Sequence, residues 1–427
     1  MSAPRVLIVG GGFGGYSAAR TLANAPVGVT LIDRTNHYLF QPLLYQVATG
    51  VLSPADIAMP TRVLLRKAAN VSVLLGDVGA IDLDRRLVLA DGGRLSLPYD
   101  FLIVATGTRH SYFGHQEWEP LAPGLKTLDD ARLMRRRFLM ALEQAEKGGD
   151  PAEQEALLTF VIVGGGPTGV ELAGILPTIA RKGFRRDFRR IDPSRVRVVL
   201  LEGGPRLLPA FPEALSARAR RDLEELGVQC RTGAQVTRIT DGAVYIGEER
   251  LATRTVFWAA GNAASPLIRS MGVETDLSGR ALVLPDLSVR GHAEAFVIGD
   301  AAAVVMPAAG GHPASSTQYV PGLAAAANQM GIHAAQGILR TLRGKARQAF
   351  RYRNRGSLAV IGRGRALADF GRLRVTGRPA FFLWLFVHLL YLAGFRNRLS
   401  VMLEWGYAYF TYRPSARLIT EEDTKAG

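Results

Sequence analysis

Residues 5–15, RVLIVGGGFGG, decide the fold. Residues 6–9 are branched and apolar, which indicates a buried parallel strand. They lead directly into Gly10, Gly12 and Gly15, the G-x-G-x-x-G spacing of a dinucleotide-binding turn. The first glycine permits a tight turn, the second lets the backbone approach a pyrophosphate, and the third allows close packing of the next helix. We therefore expect the first N–H groups of that helix to bind a nucleotide phosphate.

An acidic residue completes this first pattern. A second apolar run, 29–32, ends in Asp33, at about the twenty-residue offset expected of a carboxylate that binds a ribose hydroxyl. A glycine turn alone is weak evidence, because such turns also serve purely structural purposes. Here the strand, the glycines, the helix and the acid follow in order, so the sequence predicts a Rossmann-like nucleotide-binding domain.

The pattern occurs a second time in the middle of the chain. The apolar run 160–163 leads into GGGPTGVELAG at 164–174, and the strand predicted at 196–201 ends in Glu202. Two fingerprints predict two nucleotide sites. Because a carboxylate suits the free 2′-hydroxyl of NADH and repels the 2′-phosphate of NADPH, Glu202 predicts a preference for NADH.

A basic insert, RKGFRRDFRR at 181–190, separates the second glycine turn from Glu202. Two interpretations remain open for this insert. It forms either a solvated charged face or a collar that faces a membrane.

Small-residue turns follow other predicted strands. One strand ends in Thr106-Gly107 and another in Ala260-Gly261. Open α/β sheets bind ligands at the carboxyl ends of their strands, so these turns are candidate ligand contacts.

Asp300 follows a further strand, predicted at 296–298, and either binds sugar or ribityl hydroxyls or caps the next helix. A helix of small residues is predicted at 323–340. Its alanines would permit close approach to a large flat ligand, and its N-terminus would stabilise negative charge on that ligand.

The composition restricts the class of protein. Apolar residues make up 48% of the 427 residues, enough for two or three folded domains. A single cysteine, Cys230, excludes a disulfide framework, a zinc–cysteine cluster and a CxxC pair within one chain, and we expect it to be a small buried residue. The net charge of +15 suggests an anionic partner, either nucleic acid or an acidic membrane surface.

The C-terminal region is apolar and rich in arginine. Residues 380–395, AFFLWLFVHLLYLAGF, are flanked by Arg378, Arg396 and Arg398. This stretch is shorter than the roughly 20 residues of a spanning helix. Residues 399–412 add one Trp and several Tyr, which concentrate at membrane interfaces. We therefore expect this region to lie in one leaflet, and arginines beside aromatic residues favour lipid over nucleic acid. A soluble dimer interface is the alternative, and both can hold.

Residues 37–50, HYLFQPLLYQVATG, show no clean helical or strand period. They form either a packed loop or a loop that lines a ligand. The second interpretation is favoured because Gln41, Tyr45 and Gln46 are costly to bury without partners.

The sequence resembles the type II NADH:quinone oxidoreductases, the single-subunit alternative NADH dehydrogenases, across nearly the whole chain. The matching stretches are GGGFGG at 10–15, HYLFQPLLYQVATG at 37–50, GGGPTGVELAG at 164–174, EGGPRLLPAF at 202–211, IGDAA at 298–302, RNRGSLAVIGR at 353–363 and HLLYLAGFRNRL at 388–399.

The resemblance implies a fold and a domain plan. The fold is α/β, with two Rossmann-like dinucleotide-binding domains and a C-terminal amphipathic, membrane-associated helical module. The expected domains are an FAD-binding domain at 1–115 and 285–345, an NADH-binding domain at 116–284, and a membrane-surface or dimerisation module at 346–427.

The resemblance also implies the residues of each site. The expected FAD contacts are Gly10, Gly12, Phe13, Gly14, Gly15, Asp33, Arg34, Gln41, Pro42, Ala105, Thr106, Gly107, Gly299, Asp300 and Leu323. The expected NADH contacts are Gly164, Gly166, Pro167, Thr168, Gly169, Glu171, Glu202, Ala260 and Gly261. The expected quinone contacts are Tyr45, Gln46, Ala325 and Gln329, and no metal is expected.

Glu171 and Gln329 are the expected catalytic residues. By resemblance, Glu171 matches a carboxylate that supplies protons for quinone, and the alternative is a helix N-terminal acid favoured by the dipole. The family has two glutamines four residues apart, whereas this chain has Ala325 and Gln329, and Arg355 replaces a common lysine. These departures bear on which quinone fits and how its protons arrive.

The implied activity is oxidation of NADH through FAD and two-electron reduction of a membrane quinone, without proton pumping. Two alternatives are a soluble-type FAD reductase that feeds a protein electron carrier and a membrane redox sensor without turnover. We expect a peripheral, monotopic protein on the cytoplasmic face of the cell membrane, with no room for a signal peptide before the first strand. The expected partners are a quinone, anionic lipids and a second copy of the chain.

Overall fold

The computed structural model describes residues 3–306 and 318–419. The strands are β1 Arg5–Val9, β2 Gly28–Asp33, β3 His37–Leu39, β4 Ala58–Pro60, β5 Val71–Leu75, β6 Val78–Asp82, β7 Leu87–Ala90, β8 Leu95–Pro98, β9 Phe101–Val104, β10 Thr108–His110, β11 Thr159–Val163, β12 Arg197–Glu202, β13 Val228–Thr232, β14 Arg238–Thr240, β15 Ala243–Ile246, β16 Glu249–Ala252, β17 Thr255–Trp258, β18 Asn262–Ala264, β19 Ala281–Leu282, β20 Ser288–Val289, β21 His292–Val297, β22 Ala302–Ala303, β23 Ser357–Gly362, β24 Arg365–Asp369 and β25 Arg374–Thr376.

The α-helices connect and cover these strands. They are α1 Phe13–Leu22, α2 Leu44–Ala48, α3 Pro54–Ile57, α4 Thr61–Leu65, α5 Leu128–Glu146, α6 Pro151–Leu157, α7 Pro167–Thr178, α8 Glu213–Glu225, α9 Pro266–Ser270, α10 Ala324–Leu342, α11 Gly377–Tyr391 and α12 Phe395–Thr411.

The chain forms two compact units. The first comprises residues 1–39, 59–109 and 262–355, and the second comprises residues 40–58, 110–261 and 356–427. The nucleotide-binding domains expected from the sequence have their boundaries at 115, 284 and 345. These domains, and the ligand that each of them binds, stay predictions.

A parallel sheet forms the centre of the first unit. Its strand order is β20-β21-β9-β1-β2-β5, and only the β20–β21 pair is antiparallel. Val9 lies opposite both Ile32 and Val104, so β1, β2 and β9 end at one edge. These strands are almost fully buried, as their continuous apolar runs predict.

Helices α1 and α10 pack very closely in the first unit. A Cβ atom on Gly331 of α10 would lie 2.1 Å from the carbonyl oxygen of Gly14 in α1. Gly331 therefore serves helix packing, and the approach of the alanines of α10 to a flat ligand stays a prediction. The helix predicted at 323–340 is observed as Ala324–Leu342, with Leu323 at its N-cap.

A second parallel sheet forms the centre of the second unit, in the order β13-β12-β11-β17. Val163 lies opposite Leu201 and Trp258, which repeats the edge seen in the first sheet. Cys230 is buried in β13, as expected of the lone cysteine.

The C-terminal strands and helices belong to this second unit. The backbone of α7 lies directly against β23, because a Cβ atom on Gly174 would lie only 1.5 Å from the Ile361 carbonyl oxygen. Helix α12 is fixed to α3 and to the start of β4. The buried Asn397 donates to the carbonyl oxygens of Ala55 (3.0 Å) and Ala58 (3.2 Å).

Two local predictions need correction. The sequence predicts a helix at 129–147 with Asp129 or Asp130 as its cap, and the structure shows this helix as α5. Thr127 is its N-cap, and the Asp130 carboxylate accepts from the Thr127 N–H (2.8 Å) while the Asp130 N–H donates to Thr127 Oγ1 (3.1 Å). A hydroxyl at the N-cap and an acid three residues later form a capping box, so Asp130 completes the cap rather than starting it.

The stretch 37–50 is the second correction. It contains β3, a 3-10 turn at Gln41–Leu43 and helix α2, rather than a loop. The elements are too short to show a period in the sequence.

The apolar run at 380–395 lies mostly in α11, which ends at Tyr391. Gly394, with a φ of +85°, precedes the start of α12 at Phe395. Within the described residues, no helix combines the length and the apolar character needed to span a membrane.

The basic insert at 181–190 is partly structural. Arg181 donates to the carbonyl oxygens of Val196 (2.8 Å) and Leu226 (3.1 Å), and Phe184 is buried. The remaining arginines of the insert are exposed: Arg185, Arg186, Arg189 and Arg190. A solvated charged face and a collar that faces a membrane both stay predictions for them.

Candidate active site

The first glycine turn has the geometry that its spacing predicts. Gly10 has a φ of +101°, and a Cβ atom there would lie 2.5 Å from the Ala105 carbonyl oxygen. Gly12 is the N-cap of α1 and has open space around a Cβ position. A Cβ atom on Gly15 would lie 1.8 Å from the Gly10 carbonyl oxygen. The turn is therefore tight, open toward a ligand, and packed against its helix.

Asp33 closes this turn from the end of β2. One carboxylate oxygen accepts from the Gly11 N–H (2.5 Å), and the other accepts from the N–H (2.6 Å) and the hydroxyl (2.7 Å) of Thr35. A carboxylate oxygen pair has about four acceptor positions, so Asp33 can still accept from a ribose hydroxyl.

Other predicted FAD contacts of the first unit lie at the same sheet edge. The buried Thr106 Oγ1 has no hydrogen-bond partner in the part of the chain that the structure describes. Phe13 packs edge-on against Tyr38, with ring centroids 5.4 Å apart. A Cβ atom on Gly322 would lie 3.2 Å from the Asp300 carboxyl carbon, and Arg34 is exposed.

Two predicted FAD contacts belong to the second unit instead. Gln41 and Pro42 lie in a 3-10 turn, and Gln41 Nε2 donates to the Lys126 carbonyl oxygen (3.0 Å). Their assignment to FAD stays a prediction.

The second glycine turn repeats the first. Gly164 has a φ of +111°, and a Cβ atom there would lie 2.7 Å from the Ala259 carbonyl oxygen. Gly166 is the N-cap of α7 with open space at its Cβ position, and Pro167 begins the helix. A Cβ atom on Gly169 would lie 1.8 Å from the Gly164 carbonyl oxygen. Two turns in one chain thus have the same backbone architecture.

Glu202 closes the second turn as Asp33 closes the first. Its two oxygens accept from the N–H groups of Gly165 and Gly204, both at 2.6 Å. The nearby Arg206 guanidinium already donates to the carbonyl oxygens of Phe211 and Pro209. The turn therefore presents a fixed negative charge.

The predicted Ala260-Gly261 turn also lies in the second unit. Gly261 has a φ of +70°, and a Cβ atom there would lie 2.7 Å from the Ser111 carbonyl oxygen. A side chain at this position would therefore be excluded by both the backbone angle and the contact.

An apolar cavity of about 330 Å³ lies within the second unit. Its walls come from α2, α7, β23, α11 and α12. The lining residues are Tyr45, Gln46, Val51, Glu171, Gly174, Ile175, Thr178, Ile179, Val360, Ile361, Gly362, Arg363, Phe381, Phe382, Trp384, Leu385, Leu389, Met402, Trp405, Gly406, Ala408, Tyr409, Phe410, Tyr412 and Pro414.

Glu171 supplies the acidic group of this cavity. Its apolar surroundings raise the pKa of the carboxyl group well above the usual value, because burial penalises the charged form. Burial and the neighbouring Glu171 likewise raise the pKa of the Tyr45 phenol. The cavity therefore holds a carboxyl group and a phenol that both favour their protonated forms.

Tyr45 and Gln46 are buried and hydrogen-bonded, and both line this cavity. Gln46 Nε2 donates to the Tyr45 hydroxyl oxygen at 2.9 Å, which satisfies two groups that would be costly to bury alone. The structure thus brings Tyr45, Gln46 and Glu171 to one cavity. Sequence reasoning missed Trp405 and Arg363 as cavity residues, because neither carries a local motif.

The other two predicted quinone residues lie on α10 in the first unit. The Gln329 amide is bound to the backbone of Arg353, since Nε2 donates to its carbonyl oxygen (3.1 Å) and Oε1 accepts from its N–H (3.0 Å). Ala325 is half-buried on the same helix. The cavity-lining residues all belong to the second unit, so the roles of Ala325 and Gln329 stay predictions.

The paired turns and their acids define a class of two-nucleotide oxidoreductases. The family described as pyridine nucleotide-disulphide oxidoreductase matches residues 4–331, and the NDH2 C-terminal domain family matches residues 354–414. The lone Cys230 means that this chain has no pair of cysteines for disulfide chemistry.

Two curated relatives come from Mycobacterium tuberculosis. The type II NADH:quinone oxidoreductase NdhA is 44% identical, over 98% of this chain and 90% of the relative. The type II NADH:quinone oxidoreductase Ndh is 42% identical, over 99% and 91%. The solved structure of NDH2 from Plasmodium falciparum in complex with NADH has a TM-score of 0.88 at 20% identity, over 98% of this chain and 100% of that chain.

The chain belongs to the type II NADH:quinone oxidoreductase family. The resemblance stated from the sequence is therefore confirmed. The predicted fold class, α/β with two nucleotide-binding sheets and a C-terminal helical module, is confirmed as well.

Proposed function

We propose that this protein oxidises NADH and reduces a membrane quinone to quinol through bound FAD, as a type II NADH:quinone oxidoreductase. The observation that carries the proposal is the apolar cavity with Glu171 and Tyr45 on its wall. Paired nucleotide turns alone would also suit a reductase that serves a protein electron carrier. A carrier protein needs no apolar cavity in the reductase, whereas a quinone ring binds in one.

The first unit fits FAD. Gly12 leaves the N-terminus of α1 open, Asp33 has about one acceptor position left, and the buried Thr106 Oγ1 lacks a partner among the described residues. These residues would hold the phosphate, the ribose and a polar edge of the cofactor. When bound, FAD supplies a ring that accepts a hydride from NADH and passes two electrons to a quinone.

The second turn fits NADH. The Glu202 carboxylate would accept a hydrogen bond from the 2′-hydroxyl of the adenosine ribose and repel a 2′-phosphate. Gly166 leaves the N-terminus of α7 open for the pyrophosphate.

Glu171 would act as a proton reservoir for the quinone. Because its pKa is raised well above the usual value, Glu171 holds a proton on its carboxyl group under conditions where an exposed glutamate has lost it. A quinone that gains two electrons also needs two protons, and a protonated carboxyl group on the cavity wall can supply one.

The C-terminal helices would dock on the cytoplasmic face of the cell membrane. Their exposed helix face carries large apolar side chains that are 43–82% exposed: Phe382, Phe386, Leu390, Phe395, Leu399, Leu403 and Phe410. So many exposed apolar residues on one surface require a covering partner. Arg396 and Arg398 lie beside them and suit anionic headgroups. A homodimer that covers part of this face stays a prediction.

The test is purification in mild detergent, a visible absorption spectrum and parallel assays with a soluble quinone and with ferredoxin. The proposal predicts a flavin spectrum. It also predicts that NADH is oxidised when the quinone is the acceptor and is not oxidised when ferredoxin is the acceptor. Activity with ferredoxin but not with quinone would favour the soluble-type reductase. Activity with neither acceptor would favour a redox sensor.

A further inference from the structure

A directed chain of hydrogen bonds joins α12 to the wall of the cavity. The indole Nε1 of Trp405 donates to Gln46 Oε1 at 2.6 Å, and Gln46 Nε2 donates to the Tyr45 hydroxyl oxygen at 2.9 Å. Tyr45 is 4% exposed and Gln46 is 5% exposed, so the chain is largely shielded from bulk water. All three side chains line the cavity.

The direction of this chain follows from the chemistry of the indole group. An indole N–H can only donate, so the Gln46 oxygen must face Trp405 and its NH₂ group must face Tyr45. In the reversed amide, two donors would face each other at hydrogen-bond distance. The Tyr45 oxygen therefore accepts from Gln46, and the hydroxyl hydrogen has to point to another acceptor.

Because Tyr45 lines the cavity, a molecule bound in the cavity can supply the acceptor for its hydroxyl hydrogen. In the part of the chain that the structure describes, no residue accepts from the Tyr45 hydroxyl. Glu171 is the acidic neighbour on the cavity wall, and among the described residues no hydrogen bond joins it to the Tyr45 hydroxyl. The hydroxyl hydrogen is thus held ready for an acceptor atom of a bound molecule.

We propose that Tyr45 donates this hydrogen bond to a carbonyl oxygen of the quinone, and that Trp405, acting through Gln46, is the positioning residue that fixes its direction. The inference rests on the proposed function and deepens it. A quinone carbonyl oxygen is a hydrogen-bond acceptor, so a donor that is already oriented toward it strengthens quinone binding without a cost of reorganisation.

The experiment is a double-mutant cycle with Tyr45→Phe and Trp405→Phe. It measures the KM for a short-chain quinone, kcat, and the single-turnover rate of flavin reduction by NADH. Tyr45→Phe removes the donor and should raise the quinone KM about threefold to tenfold, the range for one neutral hydrogen bond. Trp405→Phe should raise KM in the same direction when Tyr45 is present, and change it less than about twofold in the Tyr45→Phe background. Flavin reduction by NADH should stay unchanged throughout.

Trp384→Phe is the matched control. Trp384 lines the same cavity, but its buried Nε1 has no hydrogen-bond partner among the described residues. Its replacement removes an indole ring without breaking a directed bond. Its effect on the quinone KM should therefore be equal with and without the Tyr45 hydroxyl. Gln46→Met is the second variant if Trp405→Phe does not fold, and it should show the same dependence on Tyr45.

Three results would overturn parts of the account. An equal effect of Trp405→Phe in both backgrounds, with flavin bound, would show that Trp405 acts by packing alone. An unchanged quinone KM in Tyr45→Phe would show that the Tyr45 hydroxyl does not donate a hydrogen bond to the quinone. A wild-type protein that binds flavin and oxidises NADH but never reduces quinone would refute the proposed function itself, and this inference with it.

Discussion

Glu202 is held in place by the turn that it helps to close. Because both oxygens already accept backbone N–H groups, its negative charge cannot swing away from an approaching 2′-phosphate. Its remaining acceptor positions stay open to a 2′-hydroxyl. One carboxylate can thus stabilise the turn and discriminate between the two nicotinamide cofactors.

Glu202→Gln should weaken this discrimination. Glutamine keeps one acceptor oxygen and replaces the other with a donor, so one backbone N–H loses its partner at a cost of about 1.5–3 kcal/mol. We expect kcat/KM with NADH to fall at least about tenfold and the ratio of NADH to NADPH efficiency to fall as well. Steady-state assays with both cofactors measure this. Asp33→Asn, the parallel change in the first unit, should weaken FAD retention without altering that ratio, and an unchanged ratio in Glu202→Gln would contradict the assignment.

Glu171 predicts a pH dependence of stability. Its pKa is raised by burial in the folded protein, so between the ordinary and the raised value the unfolded chain binds fewer protons than the folded one. The free energy of unfolding therefore falls as pH rises through that window. Glu171→Gln removes the titrating carboxyl group, and with it this fall in the free energy of unfolding. We expect the Tm of Glu171→Gln minus that of the wild type to grow from pH 5 to pH 8, as measured by calorimetry, and a difference that is constant with pH would count against a protonated Glu171.

At the scale of elements, the contact with the least room for a side chain is the approach of the α7 backbone to the β23 backbone. The Gly174 position leaves no room for a methyl group against the Ile361 carbonyl oxygen. This contact joins the second nucleotide-binding sheet to the C-terminal strands, and it also forms part of the cavity wall. The position of Glu171, three residues earlier on α7, depends on it.

Gly174→Ala should therefore destabilise the protein strongly. The added methyl group forces α7 and β23 apart, and overpacking of this kind typically costs about 1–3 kcal/mol or more. Gly406→Ala is the matched control, because a Cβ atom at that helical position would meet nothing within 4 Å. It should leave the Tm unchanged or raise it, since alanine is about 1 kcal/mol better than glycine in a helix. Equal Tm values for the two variants would contradict this packing.

At this scale the sequence predicted most elements. Continuous apolar runs marked the buried strands β1, β2, β9, β11 and β12, because parallel strands are covered on both faces. Hydrophobicity alone does not show where α11 ends, because the apolar run at 380–395 continues past Tyr391. Gly394 carries the only local signal of the break, in its tolerance of a positive φ.

At the scale of the whole molecule, the two nucleotide turns were predictable and the cavity was not. Each turn lies within one short strand–turn–helix stretch, so its spacing is readable from the sequence. The cavity brings together residues far apart in the chain, and the Gln46–Trp405 contact spans 359 positions. The sequence indicates Trp405 only as a membrane-interface aromatic, since no local pattern shows which face of a helix meets a distant segment.

The exposed helix face predicts membrane binding that depends on both apolar area and charge. The combined changes Phe386→Ser, Phe395→Ser and Phe410→Ser remove side chains that are 64–82% exposed, so folding should be little affected. We expect vesicle affinity to fall at least about tenfold, since each buried Phe contributes about 1.5–3 kcal/mol. Wild-type binding should be tighter to anionic vesicles and weaken with salt. Leu277→Ser, at a fully exposed position in the first unit, is the control, and vesicle binding by the triple variant equal to that of the wild type would contradict the docking face.

The most direct test of the central claim is an anaerobic spectrum of the purified protein through one catalytic cycle. The account predicts that NADH bleaches the flavin absorbance near its visible maximum and that a stoichiometric amount of quinone restores it. A purified protein that remains colourless after incubation with FAD, or a bleached flavin that quinone does not reoxidise, would contradict the account.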